Sequence, residues 1–264
     1  MEKGVPIRSI SRSLTVLQAV NRLGSLTMMD IALASDIPYP TACRIVQTLM
    51  HYGMLEREPV RKHYRPTALV QTLANGYQEH SQLVDVARPH IVDFTRASLW
   101  PVLITTRVGN AMMVRDSTQD LTSLSFDTYT PGHTFPLLEC ASGRAYMAFA
   151  DTEERETIME GLREVDNGLD PYTFSLFESG YLIEEIRREG IATRGYNRFA
   201  GADGKTSSIA APIFTDGVVC GAVTLVFFSS AMKMPVAIER FAGSLIEMAR
   251  TISDGLSTTP SVSI

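Results

Sequence analysis

Two stretches carry side chains whose identity and spacing suit a chemical task. In IPYPTACRIVQTLMHYGML, residues 37–55, the polar residues Thr41, Arg44, Gln47 and Thr48 recur three, four and seven positions apart. That is the spacing of one helical face. A guanidinium and a carboxamide can each make two hydrogen bonds to a base edge, arginine to guanine and glutamine to adenine. Tyr39 and Pro40 stand at the start of the same segment, and the basic residues Arg61, Lys62 and Arg65 follow it. Such cations suit phosphates. The second stretch is PGHTFPLLECASGRAYMAFA, residues 131–150. Small residues, Ala141-Ser142-Gly143, open a helix there. Their exposed N–H groups favour an anion, and Ser142 adds a hydroxyl. A helix cap with nothing bound accounts for the same three residues.

Other chemistries find little support. Ser142 and His133 can be imagined as nucleophile and base, but no GxSxG elbow precedes a helix. The five histidines, at 51, 63, 80, 90 and 133, lack metal-ligand spacing, and no GxGxxG or phosphate-binding loop is present. Neither a cofactor nor a metal is expected. Cys43, Cys140 and Cys220 are far apart with no CxxC, which fits reduced thiols in a cytoplasm. No apolar run approaches the ~18 residues of a membrane span, and MEKGVPIRSISRS lacks the apolar core of a signal peptide. The expected location is cytoplasmic, away from membranes.

Charge is unevenly spread. Residues 1–80 hold nine Lys and Arg against six Asp and Glu, a net of +3, so the remainder of the −5 chain carries −8. A polyanionic partner is therefore expected at the N-terminal part, although ordinary variation in surface charge gives the same figure.

These groups act only if rigid elements hold them. SRSLTVLQAVNRLGSLT sets Leu14, Leu17, Val20 and Leu23 on one helical face and stops at Gly24. Thr27 and Asp30 form a short capping box for a second helix carrying Ile31 and Ala34. Pro38 and Pro40 are tolerated only in a first turn, so the third helix starts near 38–40. Its buried stripe is Ala42, Ile45, Val46, Leu49 and Met50, and Gly53 ends it. LEREPVRKHYRPT reads as two strands about a turn at Pro59. This order is that of a winged helix-turn-helix. A three-helix unit with a merely solvated polar face has the same pattern.

Leu69, Leu73 and Tyr77 predict a helix through 67–80, and a further helix follows through SQLVDVARPHIVDFTRAS. PVLITTR and AMMVRD flank a hairpin turn at Val108-Gly109-Asn110, and LTSLSFD (121–127) reads as a third strand. Thr215-Asp216-Gly217 turns between two buried strands, SSIAAPIF and VVCGAVTLVFF. Helices are predicted over Ala141–Ala150, Thr152–Leu162, Ser179–Glu189 and Pro235–Leu256. An antiparallel α+β unit with helices on its sheet results.

The third-helix segment resembles the recognition-helix signature of the IclR family of bacterial transcription regulators, LPxSTxxRxLxTLxxxGxL. Pro38, Thr41, Arg44, Gln47, Thr48, Leu49, Gly53 and Leu55 match it. Pro40 stands where the family has serine, and Tyr39 where it often has a basic residue. The stretch 132–145 resembles the family's effector-domain motif through Gly132, Pro136, Leu137, Ala141, Ser142, Gly143, Arg144 and Ala145. A narrower likeness, to activators of the MhpR type, runs through LWPVLITTRVGNAMMVRDST, PLLECASG and FFSSAM.

The resemblance implies a two-domain α+β protein. A winged helix-turn-helix would span 1–67, a linker helix 68–80, and a GAF/profilin-like antiparallel sheet with flanking helices 81–264. It implies a ligand-responsive regulator that binds a double-stranded DNA operator as a homodimer or homotetramer. Tyr39, Pro40, Thr41, Arg44, Gln47, Thr48, Arg61, Lys62 and Arg65 would face DNA. A small carboxylic acid, aromatic in the MhpR-like reading, would meet Ala141, Ser142, Gly143, Arg194, Ser208, Thr224 and Val226. A small-molecule enzyme, or a ligand-binding module whose helices contact protein, are the competing classes.

Overall fold

A computed structural model describes residues 7–74, 81–124, 129–163, 170–195 and 205–258. The chain divides into two compact units, Met1–Glu79 and His80–Ile264.

The first unit contains α1 (Arg8–Leu23), β1 (Leu26–Thr27), α2 (Met28–Ala34), α3 (Tyr39–His51), β2 (Leu55–Arg57) and β3 (His63–Pro66). The strands form an antiparallel sheet in the order β1-β3-β2. Thr27 caps α2: its hydroxyl accepts from the Asp30 amide at 3.2 Å, while Asp30 Oδ2 accepts from the Thr27 amide at 3.3 Å. Pro38 is the N-cap of α3, with ψ 133°, and Pro40 lies in its first turn. Gly53, at φ 71°, takes the left-handed conformation that ends the helix. Ala42 and Val46 of α3 are fully buried against Val16, Val20, Ile31 and Leu55. Ile45 and Leu49 are half-buried, and Met50 turns outward.

The buried face of α1 matches the predicted one only in part: Val20 is buried and Leu17 packs against the same core, as expected. The buried face consists of Val16, Ala19 and Val20, whereas Leu14 is 54 % and Leu23 51 % exposed. The helix is apolar on two stripes, and α2 and α3 cover only one. They take the one whose small and β-branched residues allow close approach. The helix predicted after the wing is a 3-10 helix, Ala68–Ala74, with Leu69 and Leu73 exposed. Tyr77 lies outside the described residues.

The second unit begins with α4 (Ser81–Ser98), followed by β4 (Val102–Val108), β5 (Ala111–Ser117) and β6 (Thr134–Pro136). Four helices come next: α5 (Ala141–Phe149), α6 (Thr152–Arg163), α7 (Pro171–Glu178) and α8 (Tyr181–Glu189). β7 (Ala192–Arg194), β8 (Thr206–Thr215), β9 (Val218–Phe228) and α9 (Met234–Thr258) complete it. All six strands pair antiparallel in the order β6-β5-β4-β9-β8-β7. Asp216 and Gly217, at φ 51° and 80°, make the two-residue turn of the β8–β9 hairpin. One apolar cluster joins the sheet to α5–α8 through Met112, Leu138, Met147, Ile158, Phe177 and Ile186. The other joins it to α4 and α9 through Ile91, Ile104, Val223, Phe227, Leu245 and Ile252.

The short strands β6 and β7 go beyond the expected set, and two further elements depart from expectation. The stretch predicted as a strand over 121–127 closes a 3-10 turn at Gln119–Leu121 and then bends. The Thr122 hydroxyl donates to Leu99 O at 2.5 Å and accepts from the Leu124 amide at 3.0 Å. A threonine that bonds locally competes with a sheet ladder. Residues 125–128 lie outside the described residues. Helix α7 was not anticipated. It is short and starts at Pro171, and the Asp170 carboxylate accepts from the amides of Tyr172 and Thr173.

Candidate functional sites

The polar side of α3 faces solvent. Tyr39, Pro40, Arg44, Gln47 and Thr48 are exposed and Thr41 is half-exposed. The Thr48 hydroxyl donates to Arg44 O at 2.9 Å, which leaves its oxygen as an outward acceptor. Thr41, Arg44, Gln47, Thr48 and His51 line a cleft whose other wall is α1, through Arg8, Ser9, Arg12 and Ser13. Tyr39 and Pro40 lie outside that cleft, at the start of α3. On the wing, Arg61 and Lys62 are exposed. Arg65 Nε donates to Glu56 Oε1 at 2.7 Å across the β2–β3 ladder, so its charge is already matched.

Arg8 and Arg12 are not among the residues expected from the sequence to face DNA. The signal is present: RSISRS puts Arg8, Ser9, Arg12 and Ser13 at i, i+1, i+4 and i+5, a polar helical face. Three guanidiniums on two adjoining helices give this cleft a positive potential.

In the second unit a small cavity of about 20 Å³ opens at the start of α5. Ala141 and Ser142 reach it from the helix, Thr206 and Ser208 from β8, and Thr224 and Val226 from β9. Alternation along the strands puts each i, i+2 pair on one face, and the register sets Ser208 opposite Val226. Leu103, Tyr129, Phe135 and Cys140 complete the lining. Thr206 was legible by strand alternation from Ser208. Leu103 depends on a β4–β9 pairing, opposite Thr224, that no local pattern announces.

The polar groups of the cavity are unequally satisfied. Tyr129 Oη lies 3.2 Å from Thr206 Oγ1, and burial raises the phenol's pKa. Cys140 is the N-cap of α5: its sulfur accepts from the Gly143 amide at 3.3 Å and lies 3.3 Å from Ser142 Oγ. Burial pushes that thiol's pKa up. Thr224 is 4 % exposed, and its hydroxyl has no hydrogen-bond partner among the described residues. A buried, unmatched hydroxyl is costly, and a ligand atom can relieve it.

Two residues assigned to the cavity from the sequence lie elsewhere. Gly143 does not line it. A Cβ there would sit 1.8 Å from Leu137 O, so glycine is required by the approach of the 3-10 turn Leu137–Glu139 to α5. Arg194 ends strand β7, and its guanidinium is committed to Glu139. Its Nη2 lies 2.6 Å from Glu139 Oε2, and its Nε donates to Glu139 O at 3.1 Å. Glu139, 1 % exposed, also accepts from the Asp170 amide at 3.1 Å. Arg144 donates to Leu138 O and Thr193 O, each at 3.0 Å. Burial, and then the neighbouring Arg194, hold Arg144 down to about 10. This network holds the turn that leads into α5, and among the described residues no cation lines the cavity.

Among the described residues no cluster of His, Cys, Asp and Glu could hold a metal, and no helix is long and apolar enough to cross a membrane.

Comparison with known proteins bears on both units. Residues 9–59 match the IclR helix-turn-helix domain, and residues 75–254 match the C-terminal domain of bacterial transcriptional regulator IclR. The transcriptional regulator BhcR of Paracoccus denitrificans is 24 % identical over 256 residues, 95 % of this chain and 88 % of that protein. TsaQ1/TsaQ2 of Comamonas testosteroni is 24 % identical over 162 residues, 60 % of this chain and 57 % of that regulator. An IclR homolog from Microbacterium hydrocarbonoxydans, complexed with 4-hydroxybenzoate, superposes with a TM-score of 0.68 at 21 % identity, covering 95 % of this chain and all of that one. The Thermotoga maritima IclR gives 0.65 at 20 % identity over 94 % of this chain and 98 % of that one. At these identities the structural likeness establishes the fold.

Proposed function

Because the chain belongs to the IclR family of bacterial transcriptional regulators, we propose that it controls a catabolic operon by binding its operator and releasing or re-engaging it when a small acid occupies the cavity. The observation that carries the first half is the cleft shared by α1 and α3. Arg44, Gln47 and Thr48 are free to meet base edges in a major groove. Arg8 and Arg12, with Arg61 and Lys62 on the wing, match phosphates on either side. A homodimer, or a pair of dimers, sets two such helices about one duplex turn apart. The segment 68–80 links the domain at 1–67 to the one at 81–264 and carries the response, a coupling of typically ~1–3 kcal/mol.

The test is salt. A protein neutralising about six to ten phosphates loses roughly 10³- to 10⁵-fold in affinity between about 50 and 200 mM salt. Operator binding measured over that range should fall along a straight log–log line. A flat response would point to a helical unit that contacts protein instead.

The effector half rests on Thr224. We assign the ligand to small carboxylic acids: the carboxylate meets the α5 start, a second oxygen takes the Thr224 hydroxyl, and the carbon frame lies on Leu103, Phe135 and Val226. The 4-hydroxybenzoate bound by the M. hydrocarbonoxydans homolog is also a carboxylate. A cavity of about 20 Å³ holds little more than a water, so a short acid requires less rearrangement than a ring. Thr224→Val separates the two roles of that hydroxyl. Without ligand the variant should melt at the wild-type temperature or above it, because an unmatched buried group has gone. A thermal-shift screen of short and aromatic acids should show the effector's stabilisation reduced. A variant that loses stability and keeps its full effector response would remove Thr224 from the site.

A further inference from the structure

The effector cavity is not the most spacious recess of the second unit. β7 pairs with β8 only from Ser208 to Ala210. Beyond that point, among the described residues, the outer edge of β8 from Ala211 has no strand partner. This edge forms the floor of a groove of about 540 Å³. Phe149, at the end of α5, walls one side, with Arg187 and Gly190 at the end of α8. Ile246, Arg250 and Ser253 of α9 wall the other.

An open strand edge ordinarily invites another strand. This one is closed to it at two positions. Pro212 has no N–H to offer, and the Phe214 N–H donates to Ser253 Oγ at 2.9 Å. A small molecule meets no such obstacle. The groove's walls are apolar: the Phe149 and Phe214 rings meet edge to face at 5.5 Å, with Ile246 opposite. Its rims carry cations. Arg187 Nε donates to Ala148 O at 2.6 Å, which pins the guanidinium, and its Nη groups have no protein partner among the described residues. Arg250 reaches Asp254 only at 4.0 Å. Among the described residues that line the groove, two guanidiniums thus stand against the carboxylate of Asp254.

An apolar slot rimmed by excess positive charge complements an amphiphilic anion. We propose that this groove is a second ligand site, and that it takes an aromatic carboxylate: ring between the Phe149–Phe214 pair and Ile246, acid group toward Arg187 and Arg250. Its volume lies within the range that such sites occupy, ~300–1,000 Å³. The effector cavity offers no comparable room. The two sites occupy opposite ends of α5, about 12 Å apart along its axis at ~1.5 Å per residue. A ligand at one end can therefore bias the other through a single rigid helix.

The probe is 2-naphthoate, titrated into the full-length protein by calorimetry, with 2-naphthamide as its uncharged counterpart. One naphthoate should bind per chain, and the amide should bind at least about tenfold more weakly. Arg250→Gln, at an exposed position, should weaken naphthoate binding about five- to tenfold without a change in melting temperature. Arg187→Gln combined with it should weaken binding further. Thr224→Val should leave naphthoate affinity within about twofold. The proposal fails if naphthoate does not saturate, if Arg250→Gln binds it as the wild type does, or if Thr224→Val weakens it. The last result would place the ring in the effector cavity. It also fails if Arg250→Gln changes the oligomeric state instead, which would make the groove a contact between copies. None of these outcomes touches operator binding, so the DNA-binding reading is judged separately.

Discussion

Arg44→Ala removes the preference for the operator and leaves the effector response intact. The side chain is exposed at the centre of the α3 polar face, one turn from Thr48 and across the cleft from Arg8 and Arg12. A two-pronged arginine–guanine contact discriminates by ~1–3 kcal/mol, which is a roughly 5- to 150-fold loss on the operator. Binding to scrambled DNA falls far less, because only one positive charge has gone. Arg12→Ala behaves differently. It weakens operator and scrambled DNA alike and lowers the salt slope by about one. Fluorescence anisotropy on both duplexes over a range of salt distinguishes the two variants. Equal losses on both duplexes for Arg44→Ala would make it another phosphate contact. Since Arg44 lies in a compact unit of its own, the thermal shift produced by effector should be that of the wild type.

The first unit was largely legible because its signals are local. Two prolines, a capping box and a glycine stop mark the helix ends within a few residues of each other, and α3 begins where Pro38 and Pro40 require. The failure there is instructive. Periodicity identifies an apolar face but cannot choose between two, and α1 has Leu14 on one and Val16 on the other. That choice belongs to packing. The same oversight hid Arg8 and Arg12, whose importance depends on which side of α1 stays open. In the second unit the hairpins were legible from turn chemistry at Gly109-Asn110 and Asp216-Gly217. The cavity was legible only where a motif or strand alternation reached it. Leu103 comes from a distant segment that tertiary pairing alone brings in, whereas Tyr129 and Phe135 lie in or beside the 131–150 stretch and no local pattern marks them. Arg194 misled for an electrostatic reason. The family resemblance places it at the anion site, but a buried carboxylate on the turn before α5, Glu139, has the prior claim.

That carboxylate carries the largest stability effect expected of any single side chain discussed. Glu139→Ala leaves Arg194, whose side chain is 20 % exposed, without its counter-charge, and orphans the Asp170 amide. Breaking a buried pair from one side costs ~3–5 kcal/mol, mostly because the remaining charge stays buried and unmatched. A domain's whole stability is typically ~5–15 kcal/mol, so the variant should unfold at markedly lower urea. Glu139→Gln retains an acceptor for the amide and should fall between. The double variant Glu139→Ala with Arg194→Ala should lose less than the two single losses added together, since no charge is then stranded. Trp100, the chain's single tryptophan, is buried in the second unit against Phe227. Its fluorescence reports unfolding of that unit, while operator binding in the absence of urea reports the first. Because Glu139 braces the start of α5, effector affinity should fall with stability in the single variants and recover partly in the double one. Additive losses would mean that the pair contributes only its separate hydrogen bonds, and that the helix start is held by packing on Leu137 and Leu138 instead.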